Sequence, residues 1–295
     1  MKLKEFELGK YEQRTIPSPG LCIYCRKPFP PDELTNEHVI PFALGHNTLI
    51  YKKSSCRPCA ETIQPYEQAV LREQLGTFRL QVDAPSRTNR KDRSKSVDLP
   101  FIEVDATGKV IRNLGTRTFM LGDAPLALNL WQLSEPRIMR TDAIDGDDVG
   151  EPWSYTDTHV AIRISEEVRQ DTGAVHVAMK VGEVNRNHFL RFLAKAAHAY
   201  TTAELGIDGF EPFLNDIILN RDNDLSKYVG GTLPDAPHKV DPAYTTLIAL
   251  GSANGLLAVR LQFYPILGSP AYAVVVGEPN ENTEGRINEM IARYS

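Results

Sequence analysis

Long hydrophobic runs are missing from this 295-residue sequence. A membrane span needs roughly 18–20 consecutive apolar residues, and the longest stretches here, AYAVVV from 271 and LLAV from 256, reach only strand length. The N-terminus, MKLKEFELGKYEQR, is charged throughout and lacks the apolar segment of a secretory signal. No membrane partner and a cytoplasmic location are therefore expected. No internal repeat or low-complexity tract occurs. Asp145, Asp147 and Asp148 in AIDGDDVG imitate part of a calcium loop, but the spacing and terminal glutamate of an EF-hand are lacking. Cysteine is scarce, and none follows Cys59.

What is present is ordinary for a soluble globular chain: 42% hydrophobic and 24% charged residues. The length accommodates one large domain or two average ones. The net charge of −5 is unevenly spread, since residues 1–96 carry +5 and the remainder −10. A basic N-terminal third suits an anionic partner such as nucleic acid, although a solvated surface alone produces a similar asymmetry.

The four cysteines form two C-x-x-C pairs, Cys22/Cys25 and Cys56/Cys59, with 30 residues between them. Each C-x-x-C turn places two thiolates on one side of a metal, and two turns complete the tetrahedron of a structural zinc. Paired disulfides would need an oxidising compartment. A redox C-x-x-C would leave the second pair without a role.

Along the chain, residues 1–20 read as a polar lead-in closed by a Pro-Ser-Pro-Gly turn. Apolar stretches at Val39-Ile40 and Leu49-Ile50-Tyr51 suit two short strands. After Cys56, Ile63, Tyr66, Val70 and Leu71 recur at helical spacing, with Pro65 as a kink or a fresh start and Gly76 as a stop. The run 84–98 holds five basic residues without apolar periodicity and reads as an exposed linker, or else as a phosphate-contacting arm.

From 99 onward the pattern becomes mixed. FIEVD and KVIRNL flank a turn as a hairpin, and HVAIRI and AVHVAMKV read as strands. Residues 185–205 form the clearest helix, with Phe189, Leu190, Phe192, Leu193, Ala196, Ala197 and Tyr200 on its apolar face. His188, Arg191, Lys195 and His198 fall on one polar face, which predicts a solvated surface ahead of a phosphate-tracking one. FEPFLNDIIL is a shorter helical segment, LLAVRLQFY and AYAVVVG read as a closing strand pair, and Trp131 and Trp153 read as core.

Between the cysteine pairs lies TNEHVIPFALGHN. CIYC, then EHVIP, then ALGHN, then CRPC at the head of a helix resembles the HNH endonuclease family of ββα-metal nucleases. The resemblance covers about residues 20–80, and the TIQPYEQAVLREQLG that follows CRPC resembles one branch of that family. It implies His38 as the general base that activates water, Asn47 as the residue orienting it, and Glu37 as a ligand of a catalytic magnesium or manganese ion. Cys22, Cys25, Cys56 and Cys59 would hold a zinc that only supports the scaffold. After the second pair the family commonly supplies a His or Asn ligand, whereas this chain has Ala60. Glu61, Glu67 or His46 would then have to supplement the site.

The expected fold is α+β: a zinc-stabilised ββα-metal, treble-clef-like module over 1–83, a basic linker over 84–98, and a larger α+β domain over 99–295. The expected activity is metal-dependent hydrolysis of phosphodiester bonds, in DNA ahead of RNA. The alternative is a nucleic-acid-binding zinc module with a degenerate, non-catalytic HNH site. In that alternative Glu37 and His38 are only a polar loop supporting the zinc fold.

Overall fold

The computed structural model describes residues 14–44, 49–84, 93–140, 150–180, 184–232 and 246–293, and the fold is α+β. Three strands open the chain: β1 (Arg14–Ile16), β2 (Leu34–His38) and β3 (Leu49–Cys56). They form one sheet in the order β1-β3-β2, with β2 antiparallel and β1 parallel to β3. Thus part of the expected polar lead-in is a strand edge. Helix α1 (Arg57–Gln68) starts directly after Cys56, with a proline in its first turn where the missing N–H costs nothing.

Pro65 does not break α1. The chain passes through it and widens into a π-helical stretch, Ala69–Gln74, before α2 (Gly76–Gln81). A wider turn is one way a helix accommodates a residue that cannot donate its bond. Gly76 therefore begins a short helix at a bend and does not end the helical run.

The middle of the chain holds β4 (Ser96–Val104), β5 (Val110–Met120), β6 (Ala127–Gln132) and β7 (Glu151–Thr156). The predicted β4–β5 hairpin is present, and Ser96–Asp98 at the end of the proposed linker belong to β4; residues 85–92 of that linker lie outside the described residues. So do Asp145, Asp147 and Asp148.

HVAIRI is not a strand but the start of α3 (Thr158–Thr172). Asp157 caps it by accepting the Val160 N–H, and Gly173 closes it in the left-handed conformation. Ile164 and Val168 are buried one turn apart, while Ile162, which alternation would have placed inside, is 68% exposed. The helical period therefore decides the burial. Strand β8 (Val177–Met179) pairs with β4, in line with the AVHVAMKV prediction.

The C-terminal part contains α4 (Arg186–Leu205), β9 (Glu211–Pro212), α5 (Asn215–Ile218), α6 (Leu225–Tyr228), β10 (Val229–Thr232), β11 (Thr246–Ala253), β12 (Leu256–Phe263), β13 (Ala271–Glu278) and α7 (Thr283–Arg293). The predicted strand pair is β12 and β13, in an antiparallel sheet ordered β10-β13-β12-β11 with β9 on the end of β13. FEPFLNDIIL divides into β9 and the short α5. Trp131 and Trp153 pack against the main core from partly buried positions.

Helix α4 overturns the expectation of a solvated polar face. Every residue from Phe189 to Leu205 is buried, including Arg191, Lys195, His198 and Glu204. One side rests on β12 and β13 and another on α1, so no side of that stretch is left for water. Each of these four charged or ionisable side chains has an internal partner, as burial demands. Arg191 donates to the Ile217 carbonyl, to the Asp222 carbonyl at 3.0 Å and to Asn223 Oδ1 at 2.5 Å. His198 Nε2 meets the Ile23 carbonyl at 2.9 Å, and Glu204 meets Arg14 at 2.8 Å. A single hydrophobic cluster accordingly runs from Cys22 through α4 to Met290.

Candidate zinc and HNH site

The four-cysteine cluster is built from a turn and a helix start. Around Cys22, the Cys22 N–H donates to the Lys27 carbonyl at 3.0 Å and the Arg26 N–H donates to the Cys22 carbonyl at 2.8 Å. Arg26 takes a positive φ of 56° to close that turn. Cys56 ends β3 and Cys59 lies in the first turn of α1. No disulfide joins them: all four are free thiols whose sulfurs lie within 4.8 Å of one another.

Cys25 Sγ and Cys56 Sγ are 3.8 Å apart. A tetrahedron with Zn–S bonds of about 2.3 Å has edges of about 3.8 Å, so the residues fit a zinc held by four thiolates. Their crowding also splits the thiols. A hydrogen bond from Cys59 pulls Cys22 down to about 4, the same bond raises Cys59, and burial pushes Cys56 up to about 11. Such a cluster favours a cation that accepts all four sulfurs as thiolates.

Strand β2 carries Glu37 and His38 into register with Tyr51 and Ile50 of β3, just past an irregularity between Thr35 and Glu37. Successive strand residues point to opposite faces. Glu37 is buried and His38 half-buried, and both line an open cleft of about 970 Å³. Glu67 of α1 also lines it, half-buried. Glu61 is exposed at its side, and Ala60 presents no donor. Asn47 and His46, expected to support His38 and the cation, lie outside the described residues.

Lys195, reaching in from α4, joins the two carboxylates. Its ammonium contacts Glu37 Oε1, lies 2.7 Å from Glu67 Oε1, and donates to the His38 carbonyl at 2.9 Å. Burial alone would lower the Lys195 ammonium, but Glu37 and Glu67 outweigh that and hold it above its usual value. For Glu37, burial raises the carboxyl, and repulsion from Glu67 adds to it against the attraction of Lys195. The two shifts agree once the charges are counted: two carboxylates share one ammonium. Tyr24 and Tyr66 close the group from behind, their phenols raised by burial and by these same carboxylates.

As arranged, these donors do not make a divalent-cation site. A magnesium ion takes oxygens at about 2.0–2.1 Å in an octahedron, and the space between the two carboxylates is filled by a positive group. The sequence did show Lys195, but as part of a solvated face. The overlooked signal was that nearly every other position from 189 to 205 is apolar or small, the pattern of a helix buried all round.

Four arginines line the same cleft. Arg79 is engaged with the Ala43 and Leu71 carbonyls at 2.6 and 2.7 Å, and Arg93 with Asp83 at 2.8 Å. Arg57 and Arg72 are exposed and form no ion pair among the described residues. No described helix is long and apolar enough to cross a membrane. Comparison with curated proteins and with solved structures returned no match for the chain. The model of one protein family does match: residues 22–75, from the first zinc cysteine to the end of the π-helical stretch, fit the family described as HNH endonuclease.

Proposed function

We propose that the chain is an HNH-type endonuclease that hydrolyses phosphodiester bonds, with DNA as its substrate ahead of RNA. The observation that carries this reading is the position of His38: half-buried at a cleft that also presents the exposed Arg57 and Arg72, within the segment matching the family. A zinc held by Cys22, Cys25, Cys56 and Cys59 would tie the Cys22–Cys25 turn to the junction of β3 and α1, beside which the cleft lies.

In this reading a phosphate enters beside Arg57 and Arg72, whose charge offsets that of the backbone and of the transition state. His38 takes a proton from a water molecule, the general-base task that imidazole side chains most often perform. The water oxygen bonds to phosphorus as the bond to the leaving sugar oxygen breaks, and that oxygen takes up a proton from solvent. The Lys195 contact to the His38 carbonyl holds the strand from which the imidazole projects. Lys195, not a divalent ion, occupies the space between Glu37 and Glu67 in this reading.

Plasmid nicking by the wild type and by His38→Ala, with and without added magnesium or manganese, tests the proposal. Loss of at least about a hundredfold is expected, the usual worth of a general base, whereas equal rates would remove His38 from the mechanism. A second reading, a nucleic-acid-binding module without cleavage, is favoured by Ala60 and by the lysine between the carboxylates. It predicts salt-dependent DNA binding by both proteins and nicking by neither.

A further inference from the structure

Glu37 and Glu67 come from β2 and α1 and meet at the wall of the cleft, and such a pair ordinarily needs a cation between its members. Here Lys195 supplies one. An ammonium has three N–H donors, and this one has three acceptors around it: Glu37, Glu67 and the His38 carbonyl. Its side chain is 2% exposed, so at the cleft wall those donors are largely shielded from water. The lysine is fixed by α4, a helix buried all round from Phe189 onward, and cannot swing aside without disturbing the main core.

We propose that Lys195 is the resident cation of this site, holding Glu37 and Glu67 in the way a divalent ion would and excluding magnesium and manganese from between them. A divalent ion beside the ammonium would meet a like charge at contact distance in a poorly solvated place, and would find one oxygen of each carboxylate already in ion-pair contact with that ammonium. Ala60 is consistent with this, because a site that holds no exchangeable metal needs no further ligand there. The proposal goes beyond the nuclease reading and does not depend on it: it concerns which cation the carboxylates hold, whether or not a phosphodiester is cut.

The test is manganese binding to the full, zinc-loaded chain, read from the electron paramagnetic resonance of free Mn²⁺. Wild type and Glu37→Gln are expected to give the same binding curve. Lys195→Met is expected to gain a manganese site at least roughly tenfold tighter than any in the wild type, since a like charge has been removed, and Lys195→Met/Glu37→Gln is expected to lose it. A wild-type site that disappears in Glu37→Gln would overturn the proposal, as would a folded Lys195→Met that gains none. Should circular dichroism show Lys195→Met unfolded, the comparison of wild type with Glu37→Gln decides alone. Absence of nicking in the His38 experiment would leave these expectations unchanged.

Discussion

Replacing Lys195 with methionine keeps an unbranched apolar stem of nearly the same length and removes the ammonium with its charge and three donors. Lys195 is 2% exposed, Glu37 10% and Glu67 24% at the side chain, so little solvent screening discounts the loss. At an effective dielectric of about 20, unit charges 2.7 Å apart attract by roughly 6 kcal/mol. Most of that offsets the cost of dehydrating the ammonium. The net cost of deleting one partner of a buried ion pair is about 3–5 kcal/mol, because the remaining charge is stranded, and in a chain of this size that lowers Tm by roughly 10 °C.

The pH dependence identifies the cause. Lys195 is raised in the folded state, so its own contribution is complete below the unfolded value near 10.4 and constant through the acid and neutral range. Glu37 is raised by burial, so its ionised form destabilises the fold at neutral pH, and the penalty is relieved as pH falls through the folded value toward the unfolded one near 4.3. Without the ammonium that penalty grows. The gap between wild type and Lys195→Met, measured by urea unfolding of the zinc-loaded proteins, should therefore narrow from pH 8 to pH 5. Glu37→Gln/Lys195→Met should lose about 1–2 kcal/mol less than the two single losses added together. A deficit below about 1 kcal/mol that does not change with pH would refute the assignment of Lys195 as counterion.

Chelating the zinc should unfold β1–β3 and α1, since structural zinc contributes on the order of 10 kcal/mol to small modules; four thiols should become reactive to a disulfide reagent with the chelator, and fewer than four would argue against a four-cysteine centre. His198 is fully buried and lowered to about 4 by that burial, so its contribution is present above its unfolded value near 6.5 and lost as pH falls to 4. The shift corresponds to roughly 3 kcal/mol; His198→Gln should flatten the stability profile over that window, and parallel profiles would contradict it. A Cβ on Gly231 would collide with the Leu133 carbonyl, so Gly231→Ala should cost at least about 2 kcal/mol in urea unfolding, whereas Gly122→Ala, with open space around it, should be near neutral.

Legibility in the sequence followed the length scale of each interaction. The zinc cysteines were readable because metal geometry restricts their spacing. The strand at Leu49–Cys56 and the helix after Cys56 were readable because they are local to that centre, whereas the strand expected at Val39-Ile40 lies earlier and ends at His38. The β4–β5 hairpin and the β12–β13 pair were readable because their apolar runs flank turn residues. HVAIRI misled because six residues satisfy a period of two and a period of 3.6 almost equally; Asp157 and Gly173, one at each end of the longer run, carried the distinction. Gly76 misled because glycine ends a helix only when it takes up the left-handed conformation, and here it does not.

The larger misreading concerned α4, and it follows from the same physics. A polar residue on an amphipathic helix is read as solvated when its partners are unseen, and the partners of Lys195 are 128 and 158 residues away in the chain, at Glu67 and Glu37. Burying arginine, lysine, histidine and glutamate on one helix is tolerable only if each finds a fixed counterpart, and each does: Arg191 in the α5–α6 region, Lys195 at the carboxylate pair, His198 at the zinc turn, Glu204 at β1. Helix α4 thereby bonds to the first zinc turn and to both halves of the candidate site at once. The counterion of Glu37 and Glu67 comes from α4, outside the segment 22–75 that matches the HNH family, so the arrangement of this carboxylate pair depends on residues far along the chain. An excised 1–83 fragment would strand the same two carboxylates that Lys195→Met strands.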